Sequence, residues 1–282
     1  MYIAIGTQPE KTKINIYYSR TFRSMVCAGL ILQPKHSGKS ASNPIHCQVK
    51  GYHAITNCAF RYKTMTSMNS LPLADARVAV LVESQYIPAE IQAYQRHFGA
   101  LGVGVDLVSR LWGQPQQIFV SEVEEVGGTP ETLAVGIAIE DFFDRDDRPA
   151  SRSLRDYAAV IMAANYTSVR LRYYAPPDDR RSTPAVRLFA EAMADPQLIK
   201  GALCHGLWIL TPRPELLAGR RVICHEVVEA DVANAGAEII ASPSNIVVDG
   251  DLVTGKSYRE AGALADAIAE RILALRQADV RG

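Results

Sequence analysis

The stretch that decides the fold reads Lys200-Gly-Ala-Leu-Cys204-His-Gly-Leu-Trp208. It predicts an apolar strand that enters a helix through one tight turn, with Cys204 at the apex and the small residues Ala202 and Gly206 on either side. Small flanking residues let the backbone bend sharply, and such an elbow lifts a nucleophile above the carboxyl edge of a parallel sheet. The first N–H groups of the helix favour a thiolate, so we expect a nucleophile at neutral pH. The alternative is a small buried hydrophobic residue at a strand end.

Strands and helices alternate on both sides of this turn. The predicted strands are residues 77–83, 103–109, 133–139, 156–162, 198–203 and 221–225, with a hairpin around 249–251. The predicted helices are residues 88–102, 184–193, 208–210, 230–235 and 258–275. Several strands are continuously apolar, as buried parallel strands are. The pattern predicts one doubly wound α/β domain, with a mostly parallel sheet flanked by helices, over residues 73–282.

Composition places the chain among globular proteins. Its 282 residues are 48% apolar and 21% charged, which is enough to bury a full core. No run of eighteen apolar residues occurs, so we expect no membrane span. Five cysteines without disulfide spacing suit a reducing interior, and we expect a cytoplasmic protein.

Residues 1–72 differ in charge from the rest of the chain. Residues 1–70 hold nine of the 30 basic residues but only one of the 30 acidic ones, Glu10, which leaves 21 basic and 29 acidic residues beyond them. We predict a disordered leader here, or a translation start at Met65 or Met68; an organellar transit segment is the third interpretation. The basic residues are too scattered to favour a nucleic-acid arm, and we expect no nucleic-acid partner. The leader cysteines lack the close pairs of structural zinc sites, so no metal is expected there either.

The sequence Gly201-Ala-Leu-Cys204-His205-Gly206 resembles the cysteine elbow of the ThiJ/PfpI superfamily, whose signature is small-x-Cys-His-Gly. The resemblance extends from about Ala76 to about Arg276 and implies a flavodoxin-like, class I glutamine amidotransferase-like fold. His205 matches the base of protease-like members. His225 is similar to the histidine beside the cysteine in the deglycase branch. A homodimer or higher homo-oligomer is also expected.

The chain departs from the family pattern in three features. Ala164 and Asn165 stand where the family has two glycines, one of whose N–H groups completes the oxyanion hole; asparagine tolerates the left-handed backbone that this turn needs. The family acid falls at Ile87, and we take the nearby Glu83 as its substitute; Glu90, which flanks Ile87 on the other side, is the second candidate. A glutamate that a neighbouring subunit contributes in protease-like members is also replaced here, so peptidase activity is not carried over.

These residues favour a cofactor-independent cysteine enzyme that acts on a small carbonyl or amide compound, such as a deglycase, glyoxalase-like enzyme, amidase or hydratase. Cys204 would attack, His205 or His225 would move the proton, and the N–H groups of Asn165 and His205 would hold the oxyanion. We expect Cys224 to be a core residue and expect no metal at the site. The alternative is a redox-sensing or chaperone-like stress protein that oxidises Cys204 without turnover.

Overall fold

The computed structural model describes residues 73–279, apart from 124–125, 146–147, 174–178 and 180–181, and two short strands near the start of the chain. The chain divides into two units, Met1–Lys63 and Thr64–Gly282. In the first unit, β1 (Ile3–Ile5) pairs antiparallel with β2 (Ile14–Ile16). The prediction of a disordered leader otherwise lies outside the described residues.

The second unit alternates strands with helices. Its strands are β3 (Arg77–Leu81), β4 (Gly104–Val108), β5 (Gln117–Val120), β6 (Thr132–Val135), β7 (Ala159–Met162), β8 (Ile199–Leu203), β9 (Arg221–Val222), β10 (Glu238–Ile239), β11 (Ile246–Asp249) and β12 (Leu252–Gly255). Its α-helices are α1 (Pro88–Ala100), α2 (Thr167–Leu171), α3 (Pro184–Met193), α4 (Glu226–Asn234) and α5 (Ala261–Asp279). Short 3₁₀ turns join several of them.

The central sheet has six strands in the order β11-β12-β8-β7-β3-β4. All neighbouring pairs are parallel except β11 with β12, which form the predicted hairpin. The mostly parallel, doubly wound fold predicted from the sequence is therefore confirmed. The strands β5 and β6 form a separate antiparallel pair, and β9 pairs with β10.

Two apolar layers cover the two faces of the sheet. Because successive strand residues point to opposite faces, Val80 of β3 packs in the layer of α1 and α5, whereas Leu81 packs in the layer of α3 and α4. Every residue of β8 is buried, including Lys200, whose Nζ donates to the Asp195 carbonyl at 2.9 Å. Pro88 opens α1 at a position where a missing N–H costs nothing.

The strand predicted over residues 221–225 is shorter than expected, because only Arg221 and Val222 pair with β10. The next residues still follow the sheet edge: Ile223 N donates to Thr254 Oγ1 at 3.0 Å, and His225 N donates to the Cys204 carbonyl at 3.2 Å. These bonds hold His225 beside the elbow. Within the described part of the chain, no helix combines the length and apolar character needed to cross a membrane.

Candidate active site around Cys204

The turn after β8 has the geometry of a nucleophile elbow. Cys204 has φ +59°, a left-handed conformation that is uncommon for a residue with a side chain, and its N–H donates to the Gly255 carbonyl at 2.8 Å. A Cβ on Gly206 would lie 2.9 Å from the Met162 carbonyl oxygen, so only glycine allows this approach. A single 3₁₀ turn, Gly206–Ile209, follows in place of the predicted helix.

The neighbouring turn, after β7, presents two consecutive N–H groups. Asn165 has φ +62°, the left-handed conformation expected of this asparagine, and its side-chain amide donates to the Gln85 carbonyl at 2.7 Å. The N–H groups of Asn165 and His205 act on the Cys204 sulfur and lower the pKa of its thiol. The Ala164 N–H instead donates to both carboxylate oxygens of Glu90 at 3.0 Å. Ala164 therefore has no N–H left for an oxyanion, and this part of the prediction is corrected.

The carboxylate that the structure brings to the site belongs to Glu90, in the first turn of α1. Its side chain is fully buried, and Tyr94 Oη donates to it at 2.9 Å. Burial raises the pKa of Glu90 to about 7, against the opposing effect of the bonds from Ala164 and Tyr94. The charge of Glu90 in turn raises the pKa of the Cys204 thiol.

Glu83, proposed from the sequence as the acid, lies elsewhere. Its carboxylate accepts from Ser84 N at 2.7 Å and feels the charge of Arg170. Among the described residues, the carboxylates that act on the Cys204 thiol are Glu90 and Glu226. Ile87 is the N-cap residue of α1, and the first helical turn after it directs the buried Glu90 side chain towards the sheet edge. The sequence signal for Glu90 was its i, i+4 spacing from Tyr94, which puts both on one helix face.

The surroundings of the Cys204 thiol favour its protonated form. Its residue is only 7% exposed, and burial raises the pKa to about 11, which the two N–H groups of Asn165 and His205 only partly offset. Burial therefore opposes the expected resting thiolate: only a single 3₁₀ turn follows Cys204 in place of the expected helix, and desolvation outweighs the N–H groups of Asn165 and His205. A base must remove the proton before the sulfur can attack.

The ring of His205 has one nitrogen whose lone pair forms no hydrogen bond with the described residues. Its Nδ1 lies 3.2 Å from the Asn165 carbonyl oxygen, which can only accept, so Nδ1 carries the proton and Nε2 carries a lone pair. His205 is buried, and its Nε2 has no hydrogen-bond partner among the described residues. Burial, followed by the nearby His225, lowers the pKa of this ring, so the lone pair is available at neutral pH.

His225 has the opposite tautomer. As the N-cap of α4, its Nδ1 accepts from Val227 N at 3.2 Å, so the neutral ring carries its proton on Nε2. The rings of His205 and His225 lie edge to face, with centroids 5.1 Å apart. The sulfur and one nitrogen of each ring all lie within 4.8 Å of one another. Cys224 instead packs in the core, as expected, and burial raises its pKa to about 12.

Comparison with known proteins identifies what this arrangement is similar to. Residues 174–271, which include the elbow and His225, match the DJ-1/PfpI family. No curated protein sequence matches the chain.

Among solved structures, a two-domain protein from Anabaena variabilis with DJ-1/ThiJ/PfpI-like and ferritin-like domains is 20% identical, with a TM-score of 0.54 over 70% of this chain and 48% of its own. This chain thus spans about half of that protein. A ThiJ/PfpI domain protein from Brachyspira murdochii is 17% identical, with a TM-score of 0.52 over 71% and 96% of the two chains. DJ-1 of Schizosaccharomyces pombe is 14% identical, with a TM-score of 0.52 over 72% and 98%. At these identities the likeness shows the fold.

Proposed function

We propose that this chain is a member of the ThiJ/PfpI superfamily and a cofactor-independent cysteine enzyme acting on a small carbonyl or amide compound. The match of residues 174–271 to the DJ-1/PfpI family and the likeness of its fold to those of ThiJ/PfpI proteins support the proposal. One observation carries the proposal: the backbone N–H groups of Asn165 and His205 act on the Cys204 sulfur and lower the pKa of its thiol, and one ring nitrogen of His205 lies within 4.8 Å of that sulfur. A nucleophile, a base and oxyanion donors are the three parts that addition to a carbonyl needs.

The tautomers give each histidine a separate role. The Nε2 lone pair of His205 takes the thiol proton as the sulfur pair forms a bond to the substrate carbon, and the π pair of the carbonyl moves to its oxygen. That oxygen accepts hydrogen bonds from the N–H groups of Asn165 and His205, because a neutral thiol competes for these donors only weakly. His225 offers its Nε2–H as a further donor. With an aldehyde, the oxyanion then takes the proton back from the His205 imidazolium, and the product is a hemithioacetal.

With an amide, the tetrahedral adduct collapses. The C–N bond breaks, the leaving nitrogen takes the proton from the His205 imidazolium, and a thioester to Cys204 remains. Water then hydrolyses the thioester through a second oxyanion in the same site. Glu90 stays outside these proton transfers: through Ala164 N it fixes the turn that aims the Asn165 N–H at the sulfur.

The redox alternative has less support from the geometry. Peroxide oxidises thiolates that are exposed, whereas Cys204 is a buried thiol with a raised pKa. Low exposure and a protonated sulfur suit a group that is activated only when a substrate and a base act together.

The test is a comparison of variants on methylglyoxal and on a panel of amides and peptides. We expect Cys204→Ser to lower turnover by roughly 10³-fold or more and His205→Gln by about 10²–10⁴-fold. The matched control Cys224→Ser changes a second buried thiol that the mechanism does not use. Mass spectrometry should find a covalent adduct on the Cys204 peptide. Absence of turnover by the wild type, together with peroxide-dependent sulfenic acid at Cys204, would establish the redox alternative instead.

A homodimer or higher homo-oligomer, the lack of a nucleic-acid partner and the cytoplasmic location stay predictions. Sedimentation of the purified chain tests the first of them.

A further inference from the structure

The same three side chains form a second kind of arrangement. Cys204, His205 and His225 offer one sulfur and two imidazole nitrogens within 4.8 Å of one another, at the edge of a rigid sheet. Their backbones are fixed by bonds from Cys204 N to the Gly255 carbonyl and from His225 N to the Cys204 carbonyl. One thiolate with two imidazoles is a donor set that suits zinc, whereas magnesium and calcium prefer oxygen.

His205 is already oriented as a metal ligand. Metal-binding histidines usually donate the second ring N–H to a carbonyl or carboxylate, which fixes the tautomer and aims the lone pair. Here Nδ1 donates to the Asn165 carbonyl at 3.2 Å, and the Nε2 lone pair is buried without a partner among the described residues. A buried acceptor without a donor is costly, and a bound cation would satisfy it.

We propose that Cys204, His205 and His225 form a site for a thiophilic divalent cation, represented by Zn²⁺, whose binding blocks the nucleophile. Binding forms a bond from zinc to the sulfur and releases the thiol proton to solvent. The fourth position of a tetrahedral zinc is left to water or another external ligand. The block of turnover rests on the proposed function, but the binding itself does not.

Two adjustments accompany binding. Ligand atoms around a tetrahedral zinc lie about 3.3–3.6 Å apart, so the three atoms must draw together. The half-buried ring of His225 can move to do so, and its proton passes from Nε2 to Nδ1. Nδ1 then gives up its bond with Val227 N, and the Glu226 carboxylate, 3.7 Å away, is the acceptor that replaces it. The thiol proton is the only proton that the site loses when zinc binds.

The test uses the full chain after treatment with EDTA, with Co²⁺ and Zn²⁺ as probes. We expect Co²⁺ to give the charge-transfer absorption of a thiolate ligand and the visible bands of a tetrahedral site. Cys204→Ala should abolish the charge-transfer band, and His205→Gln and His225→Asn should each weaken Zn²⁺ binding by roughly 100-fold, measured against a chromophoric chelator. His225→Asn keeps an N-cap, so its effect does not depend on unfolding α4.

The leader cysteines require a control of their own. In a variant with Cys27, Cys47 and Cys58 changed to Ser, the Co²⁺ spectrum and the Zn²⁺ affinity should remain, as they should in His97→Gln. A charge-transfer band that survives Cys204→Ala, or that disappears with the leader cysteines, overturns the proposal. Turnover that Zn²⁺ does not inhibit also overturns the proposed metal block and leaves the enzyme function standing. Zn²⁺ binding to a chain that shows no turnover overturns the enzyme function and leaves the metal site standing.

Discussion

The chain contains two Cys-His pairs at neighbouring strand ends, Cys204-His205 after β8 and Cys224-His225 after β9, and they are used in opposite ways. The first pair places its sulfur at the site, where two N–H groups reach it, while the second buries its sulfur in the core and offers only its imidazole. The left-handed backbone at Cys204 causes the difference, because it turns both residues of the first pair towards the sheet edge. In the second pair the backbone stays extended at His225, and neighbouring side chains point to opposite sides.

The comparison teaches that burial of a cysteine does not decide its role. Both thiols are almost fully buried, and burial raises both pKa values, to about 11 for Cys204 and about 12 for Cys224. What differs is whether donors and a base lie within reach of the sulfur. The following predictions test this difference, from the largest expected effect to the smallest.

The alkylation rate of Cys204 should depend steeply on pH. Because its pKa is about 11, the thiolate fraction and the rate with iodoacetamide should rise about 1000-fold from pH 7 to pH 10 without a plateau. Cys224, at 2% exposure, should stay unmodified in the folded protein. Peptide mapping of the chelator-treated chain measures both. A plateau for Cys204 near pH 8 would mean that the N–H donors outweigh burial after all.

Gly206→Ala should disrupt the elbow. The added Cβ would lie 2.9 Å from the Met162 carbonyl oxygen, and we expect the free energy of unfolding to fall by about 1–3 kcal/mol. The control is Gly99→Ala in α1, where no atom lies within 4 Å of the new Cβ and where stability should rise by up to about 1 kcal/mol. Denaturant unfolding distinguishes the two; equal effects would contradict the tight approach at Gly206.

Glu90 should make stability fall as pH rises. Its folded-state pKa is raised to about 7, so the folded state favours the protonated carboxyl, and this stability is present below pH 4.5 and lost as pH rises through 7. Relative to wild type, Glu90→Gln should be about 2.5 kcal/mol more stable at pH 8 than at pH 5. The control Glu191→Gln removes an exposed partner of Arg187 and should show no such difference. Parallel unfolding curves for wild type and Glu90→Gln at both pH values would contradict the shift.

His225 should contribute to stability separately from its part in the site. Removal of the N-cap in His225→Ala should lower the free energy of unfolding by about 0.5–1 kcal/mol, whereas His225→Asn keeps a cap and should cost little. Both variants remove the imidazole and should lower turnover alike. If thermal unfolding shows the same loss for both, the side chain does not act as a cap.

The sequence identified the elbow and the strand ends from local patterns. The sequence predicts a strand over Ile199–Leu203, a tight turn at Cys204 and a left-handed backbone at Asn165. The structure has all three, with φ +59° at Cys204 and +62° at Asn165. Steric contacts between neighbouring residues decide such conformations, so they can be predicted from the local sequence. Helix α3 over Pro184–Met193 was predicted for the same reason.

The electrostatics of the site could not be predicted in this way. Choosing Glu90 over Glu83 depends on where α1 begins and which of its faces meets β7, and the sequence placed both carboxylates within a few residues of the same turn. The protonation of Cys204 depends on how completely the layers above and below the sheet exclude water. Neither the choice of carboxylate nor the protonation of the thiol is decided by a short stretch of sequence.

By itself, then, the sequence determined most strands of the central sheet, the tight turns at Cys204 and Asn165 and the position of the sulfur, because near neighbours in the chain impose these through sterics and hydrophobic periodicity. Only the tertiary structure decided which carboxylate enters the site, which imidazole nitrogen carries a lone pair and whether the thiol is ionised. Those outcomes depend on hydrogen bonds and desolvation among residues 40 or more positions apart, such as His205 with Asn165 and Ala164 with Glu90.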